Sequence, residues 1–134
     1  MRVLVVEDNA LVAMMVVEEL EDAGFDVLGP ANTAADAMKL VSGKGCECAL
    51  VDIDLADGRT GPDIAASLVK DHGATAIFMS GQRDLALDYT DYAIGLLRKP
   101  VDPAALVETL KAVAMLRADE APEWPSDFER FVAA

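Results

Sequence analysis

The chain has 134 residues, 53% of them hydrophobic and 26% charged, which is the composition of one globular domain and excludes a disordered protein. The 24 acids and 11 bases give a formal net charge of −13, which argues against binding to nucleic-acid phosphates or to anionic membranes. No apolar run reaches the length of a membrane span, and the N-terminus lacks a signal-peptide pattern. We therefore expect a cytoplasmic protein whose domain has no nucleic-acid or membrane partner.

Short apolar runs alternate with helical segments along most of the chain. Strands are predicted at residues 2–6, 25–29, 49–52, 75–80 and 93–98. Helices are predicted at residues 10–23, from caps at 32–33 to about 41, at 61–71, more weakly at 84–92, and at 103–117. Gly29-Pro30 is predicted to break the second strand.

This alternation predicts the fold class. Parallel neighbours in a sheet need a crossover connection, and here each connection carries a helix. We expect residues 1–117 to form an α/β domain with a doubly wound, five-stranded parallel sheet of order 2-1-3-4-5 and flavodoxin-like (βα)5 topology.

The last segment, residues 118–134, is predicted to be an acidic, proline-containing C-terminal tail. Ser126 and Glu129 form a capping-box pattern, which predicts a short helix. Hydrophobic residues accompany this pattern: Trp124, Phe128, Phe131 and Val132. The single tryptophan suggests that the tail docks on the domain or on a partner, and a frayed tail is the alternative.

The two cysteines, Cys46 and Cys48, are separated by one residue, which is neither the spacing of a redox motif nor that of a zinc site. His72 is the only histidine that could complete a ligand set. Two reduced thiols at the entrance of the third strand are therefore expected.

Polar side chains follow four of the five predicted strands. In an open α/β sheet, ligands bind beyond the carboxyl ends of the strands where the strand order reverses, here between the first and third strands. Each of these residues also has an ordinary interpretation as a helix cap, a turn residue or a surface charge. Their joint placement nevertheless predicts one site at this edge of the sheet, composed of Glu7, Asp8, Asp52, Ser80 and Lys99.

Clustered carboxylates repel one another by roughly 1–4 kcal/mol per pair, and a divalent cation among them relieves that repulsion. Oxygen ligands without histidine or thiolate favour Mg²⁺, which usually combines one or two carboxylates with waters and phosphate oxygens. Asp52 is the candidate nucleophile, since a carboxylate can accept a phosphoryl group as an acyl phosphate. Mg²⁺, the Lys99 ammonium and the Ser80 hydroxyl would balance the charge of the transferred group.

Four features along residues 1–117 resemble the receiver domain of two-component response regulators. They are the acidic pair Glu7-Asp8 after the first strand, Leu50-Val51-Asp52 with Gly58 six residues later, Ser80-Gly81, and Lys99-Pro100. The resemblance implies that Asp52 accepts a phosphoryl group from a sensor histidine kinase or a histidine phosphotransfer protein. It also implies a regulator and not a turnover enzyme, and we expect a stand-alone receiver, with a fragment of a longer regulator as the alternative.

The resemblance further implies a role for each residue of the site. Asp8 would bind Mg²⁺ directly and Glu7 mostly through water, and the backbone carbonyl of Asp54 would be a further ligand. Ser80 and Lys99 would contact the phosphoryl oxygens. In this family the phosphorylated domain shifts its fourth helix, fifth strand and fifth helix, and downstream proteins bind that face.

One position departs from the family pattern. Receivers usually carry Phe or Tyr three residues before the lysine, whereas this chain has Leu96 there. Coupling from Ser80 to the output face could therefore run through other groups, such as Tyr89 or Tyr92. The segment from Phe78 to Gln82 resembles the Phe-Ala-Thr-Gly-Tyr motif of one subfamily of stand-alone receivers.

Other functions are also compatible with parts of the pattern. Asp52-Ile53-Asp54 after an apolar strand resembles the nucleophile motif of haloacid-dehalogenase-type phosphatases, although that family places its metal-binding acid pair after the lysine. A flavin or nucleotide module is disfavoured because no glycine-rich loop follows the first strand. A pseudo-receiver scaffold that is not phosphorylated is a further alternative.

Overall fold

Residues 1–131, which the computed structural model describes, contain six strands in one sheet. They are β1 (Arg2–Val6), β2 (Asp26–Ala31), β3 (Cys48–Asp52), β4 (Thr75–Ser80), β5 (Gly95–Arg98) and β6 (Phe128–Arg130). The sheet order is β2-β1-β3-β4-β5-β6, in which β1 to β5 are parallel and β6 is antiparallel to β5. The predicted order 2-1-3-4-5 is therefore confirmed, and β6 is an addition to it.

Five helices connect or follow these strands in the part of the chain that the structure describes. They are α1 (Ala10–Asp22), α2 (Ala34–Val41), α3 (Gly61–His72), α4 (Arg83–Ala86) and α5 (Pro103–Arg117). The side chains of Asn9, Thr33 and Asp102 accept hydrogen bonds from the first turns of α1, α2 and α5, as predicted for N-caps. Within residues 1–131, no helix combines the length and the apolar character needed to cross a membrane.

The weakly predicted fourth helix is shorter than expected. α4 has only one turn, and a 3-10 helix over Leu87–Tyr89 follows it. Ala86 is the buried residue of this region, whereas Leu87 is exposed. The segment has little apolar surface to bury. Because helices in proteins are stabilised mainly by such packing, this helix stays short.

Both faces of the sheet are covered by helices. Val3 and Val5 pack with α1 and α5 on one face, and Leu4 and Val6 pack with α2 and α3 on the other. Strands buried on two faces are apolar at every position, which explains the continuous hydrophobic runs in the sequence. Both cysteines are free and buried, and Cys48 is the first residue of β3, in agreement with the predicted position at the strand entrance.

The prediction that Gly29-Pro30 breaks the second strand is wrong, because β2 continues to Ala31. β2 lies at an edge of the sheet, where the missing N–H of a proline need not leave a ladder bond unmade. The pairing with β1 is irregular at this point, which accommodates both residues.

The prediction of a short helix in the tail is also wrong for its described part, because residues 128–130 form β6. Glu129, expected to close a capping box, instead accepts two hydrogen bonds from Arg83. Phe128 is buried against the sheet, and the open edge of β5 supplies backbone partners for the segment. Val132, one of the hydrophobic residues of the predicted tail helix, lies outside the described residues.

Candidate functional site

Asp52 is the last residue of β3, between β1 and β4, and its side chain is only 12% exposed. One carboxylate oxygen, Oδ1, accepts a hydrogen bond of 2.8 Å from the backbone N–H of Ile53. The other, Oδ2, accepts one of 2.9 Å from the ammonium of Lys99. The carboxylate is therefore held in one orientation at the end of the sheet.

The acidic pair predicted after the first strand lies beside Asp52. Carboxylate oxygens of Glu7, Asp8 and Asp52 all lie within 4.8 Å of one another. Glu7 is buried and its backbone N–H donates to the carbonyl of Ala31, which fixes the segment that follows β1. Asp8 is exposed, so the cluster has one side open to solvent.

The carboxyl group of Glu7 is perturbed by its surroundings. Burial, together with the hydrogen bond and the charge of Asp52, raises the pKa of Glu7 to about 7, against the opposing effect of Lys99. Lys99 forms an ion pair with Glu7 as well as with Asp52. Burial lowers the pKa of Lys99, but the hydrogen bonds to Glu7 and Asp52 outweigh burial and raise it, so the ammonium stays charged.

Ser80 and Lys99 end neighbouring strands of the sheet. Ser80 is the last residue of β4 and is buried, and its hydroxyl oxygen accepts a hydrogen bond of 3.0 Å from the backbone N–H of Gln82. Lys99 follows β5, and its backbone N–H donates to the carbonyl of Ser80 over 3.0 Å. The structure therefore brings Glu7, Asp8, Asp52, Ser80 and Lys99 to one edge of the sheet.

The side chain of Asp54 does not join this cluster. It is 45% exposed, and its Oδ1 accepts a hydrogen bond of 2.9 Å from Arg59. The expectation for Asp54 concerned its backbone carbonyl, and that role stays a prediction. Arg59 was not among the predicted site residues, since a lone basic residue in a loop gives no sequence signal.

Gly61 is a second residue of the site that the sequence indicated only as a helix start. A Cβ at this position would overlap the backbone carbonyl of Asp52 and the backbone of Ile53. Its N–H donates to the carbonyl of Ile53 over 3.1 Å. The first residue of α3 therefore packs directly against the end of β3, where only glycine fits.

The chemistry of the donor set fits Mg²⁺. The cluster offers carboxylate oxygens only, one of them on the exposed Asp8, and Lys99 is the cation that contacts Glu7 and Asp52 within the described residues. Hard oxygen donors with solvent access are the ligands that Mg²⁺ takes in proteins. Glu7, Asp8 and Asp52 are the side chains that would hold the ion.

The strand order and the acidic edge define a flavodoxin-like, doubly wound domain with a polar site at the switch point between β1 and β3. The model of the response regulator receiver domain matches residues 3–111. The chain therefore belongs to the response regulator receiver family, as its motifs predicted. This is a regulatory family of two-component signalling, and its members usually bind Mg²⁺ at an acidic pocket.

Relatives of known sequence agree with this assignment. The phyllosphere-induced regulator PhyR of Methylorubrum extorquens is 35% identical over 105 residues, which are 76% of this chain and 39% of that protein. The transcriptional regulatory protein PdtaR of Mycobacterium tuberculosis is 29% identical over 120 residues, 87% of this chain and 58% of that protein. The chain thus spans about two fifths to three fifths of the curated relatives that it matches.

A solved structure supports the same family. The signal receiver domain of a modulated diguanylate cyclase from Desulfovibrio desulfuricans superposes with a TM-score of 0.77 and 30% sequence identity. The match covers 89% of this chain and 98% of that one.

Proposed function

We propose that the chain is the phosphoacceptor of a two-component phosphorelay and that Asp52 carries the phosphoryl group. The observation that supports this most directly is the cluster around Asp52, in which two further carboxylates and the Lys99 ammonium surround one oriented acceptor. The donor would be the phosphohistidine of a sensor histidine kinase or of a histidine phosphotransfer protein.

The transfer is a substitution at phosphorus. A carboxylate oxygen of Asp52 forms a bond to phosphorus, and the bond between phosphorus and the imidazole nitrogen of the donor breaks. The electron pair of the broken bond stays on that nitrogen, which then takes up a proton. The product is an acyl phosphate on Asp52, and no oxidant or further reactant is needed.

The residues of the site contribute positioning and charge. The Ile53 N–H fixes the rotation of the Asp52 carboxylate, so that the nucleophilic oxygen is presented at the edge of the sheet. Lys99, released from part of its contact with Asp52, would pair with a phosphoryl oxygen, and the Ser80 hydroxyl would donate to another. Bound Mg²⁺ would neutralise the negative charge of the phosphoryl oxygens, with Asp8 as a direct ligand, Glu7 acting mostly through water, and the Asp54 carbonyl completing the protein ligands.

The phosphorylated state would then change the binding of a downstream protein at the face formed by α4, β5 and α5. Leu96 is fully buried in β5 at the position where the family usually has an aromatic side chain. Leu96 lacks the ring of the usual switch residue, so we expect signal transfer to this face to use other residues.

Intact-mass spectrometry tests the proposal. The chain, incubated with Mg²⁺ and acetyl phosphate, should gain the mass of one phosphoryl group, and Asp52→Asn should gain none. Asp54→Asn is the matched control, because it keeps the backbone carbonyl of that residue and removes a carboxylate two positions away. An Asp52→Asn protein phosphorylated at the rate of the unaltered chain would refute the assignment. Repeated turnover of p-nitrophenyl phosphate would instead support the phosphatase alternative.

A further inference from the structure

The β5 edge of the sheet is occupied by the chain's own C-terminal segment. β6 pairs antiparallel with β5, with Gly95 opposite Arg130, Leu96 opposite Glu129 and Leu97 opposite Phe128. The N–H of Phe131 extends the ladder by donating to the carbonyl of Ile94 over 2.8 Å. Without β6, the free backbone groups of β5 would form an open edge on which another strand could pair.

The fit of this segment is specific. Phe128 is buried, and its ring lies directly over Gly95, where a Cβ would overlap it. Trp124 stacks on Phe128 with ring centroids 4.9 Å apart, and the guanidinium of Arg130 lies 5.2 Å from the Trp124 ring centroid. The ring of Phe128 therefore anchors the segment in the space left by the missing side chain of Gly95.

One ion pair connects this segment to the start of α4. Nε and Nη2 of Arg83 donate to the two carboxylate oxygens of Glu129, over 2.7 Å and 2.8 Å. Arg83 is the first residue of α4 and follows Gln82, whose N–H donates to the Ser80 hydroxyl. A short path of contacts thus runs from the candidate phosphorylation site through Ser80, Gln82 and Arg83 to Glu129.

We propose that residues 124–131 cover the β5 edge, and that phosphorylation of Asp52 weakens their docking through Arg83, so that this edge is exposed more often. This inference rests on the proposed function and adds to it the segment that the phosphoryl group controls. When the Ser80 hydroxyl turns toward a phosphoryl oxygen, it no longer accepts the hydrogen bond from the backbone N–H of Gln82. The start of α4 then moves, and the bidentate contact of Arg83 with Glu129 is lost.

This route does not require an aromatic switch residue. Arg83 is partly exposed and its contact with Glu129 bridges α4 and β6 on the surface, whereas Leu96 lies in the core. The bidentate contact also gives Glu129 a defined position opposite Leu96, which favours the observed register of β6.

Hydrogen–deuterium exchange of the full chain tests the proposal, with the intact mass recorded on the same sample. We expect the amides of residues 128–131 to exchange faster after treatment with acetyl phosphate and Mg²⁺. Because a surface ion pair of this kind is worth little, the expected increase is roughly two- to fivefold. Amides within α1 and β1 are the internal reference and should not change.

Substitutions of the ion pair sharpen the test. Arg83→Gln should gain the phosphoryl mass like the unaltered chain, show the faster tail exchange already without the phosphodonor, and show no further increase with it. The exchanged pair Arg83→Glu with Glu129→Arg should restore slow exchange in the unmodified state. Arg117→Gln is the matched control, since this arginine donates to Gly73 and Thr75 away from the site.

The outcomes separate the two proposals. A chain that gains the phosphoryl mass without faster exchange at residues 128–131 overturns the docking inference and leaves the proposed function intact. A chain that gains no mass overturns the proposed function and, with it, the control of the tail by phosphorylation. An Arg83→Gln variant whose tail exchanges as slowly as that of the Arg117→Gln control also overturns the inference.

Discussion

The ammonium of Lys99, after β5, lies 2.9 Å from Oδ2 of Asp52, at the end of β3, and the two residues are 47 positions apart in the chain. The same ammonium also contacts Glu7 after β1. One cation therefore compensates two buried carboxylates at the ends of two different strands. Its removal should affect the charge balance of the whole site and leave the ligand oxygens in place.

Lys99→Met should slow phosphorylation of Asp52 by about 10²-fold, because a preorganised cation that meets the phosphoryl oxygens is lost. Mg²⁺ affinity should stay the same or increase, since the carboxylates then lack a competing cation. The rate is measured by intact mass over time, and the affinity by calorimetric titration. Lys70→Met on the exposed surface of α3 is the control. Loss of Mg²⁺ binding in Lys99→Met would show that the ion site has been misplaced.

Removal of Mg²⁺ with excess EDTA should abolish the mass gain with acetyl phosphate. Asp8→Asn should weaken Mg²⁺ binding by roughly tenfold or more, about 1.4 kcal/mol, because it removes a charged ligand of the cluster. Titration calorimetry of both proteins measures this difference. Asp91→Asn, an exposed acid outside the cluster, should bind Mg²⁺ like the unaltered chain. Equal affinities for Asp8→Asn and Asp91→Asn would contradict the proposed ligand set.

Most of the sheet could be predicted from the sequence, because its determinants are local. Apolar runs such as residues 2–6 and 75–80 mark strands buried on both faces, and Asn9, Thr33 and Asp102 mark helix starts by hydrogen bonds within their own first turns. The site followed from topology, because the carboxyl ends of parallel strands lie at one edge of the sheet.

The tail could not be predicted in this way, because its structure depends on distant residues. Ser126 and Glu129 have the spacing of a helix cap, yet Glu129 pairs with Arg83, which lies 46 positions earlier. The ring of Phe128 needs the missing side chain of Gly95 and the open edge of β5. Gly61 is similar, since its contact with the Asp52 carbonyl becomes evident only when α3 is packed against β3.

Gly95→Ala should displace β6, because the added Cβ would overlap the Phe128 ring and the Glu129 carbonyl. The expected cost is about 1–3 kcal/mol, as for other overpacked sites. Trp124, the single tryptophan, reports on docking, and its fluorescence emission should shift to longer wavelength as it leaves Phe128. Gly81→Ala is the matched control, because nothing lies within 4 Å of a Cβ there. An unchanged Trp124 emission in Gly95→Ala would contradict the described packing.

The two thiols should be unreactive in the folded protein. Burial raises the pKa of Cys46 to about 11, and the fully buried Cys48 has a pKa raised further by the same cause. Iodoacetamide at about pH 8 should therefore alkylate neither residue until the chain is unfolded in guanidinium, when both should react. Peptide mass spectrometry after alkylation identifies the modified residue. Rapid, stoichiometric labelling of the native chain would show that the entrance of β3 is open.

Docking of the tail should depend on pH through Glu129. The hydrogen bond from Arg83 lowers the pKa of Glu129 below its usual 4.5, and the charges of Arg83 and Arg98 also lower it, against the opposing effect of burial. The released tail therefore binds a proton more readily than the docked tail. The contribution of the ion pair is present above pH 4.5 and is lost as the pH falls through the lowered pKa of the docked state.

Trp124 fluorescence, recorded from about pH 7 to about pH 3, measures this loss when the unaltered chain is compared with Glu129→Gln. The variant has the same carboxylates elsewhere, so acid unfolding of the domain affects both proteins and cancels in the difference. The two signals should differ at neutral pH, where only the unaltered chain has the ion pair, and should converge as Glu129 becomes protonated. A difference that persists unchanged to the lowest pH would mean that the charge of Glu129 does not hold the tail, and that Phe128 and the backbone ladder alone do so.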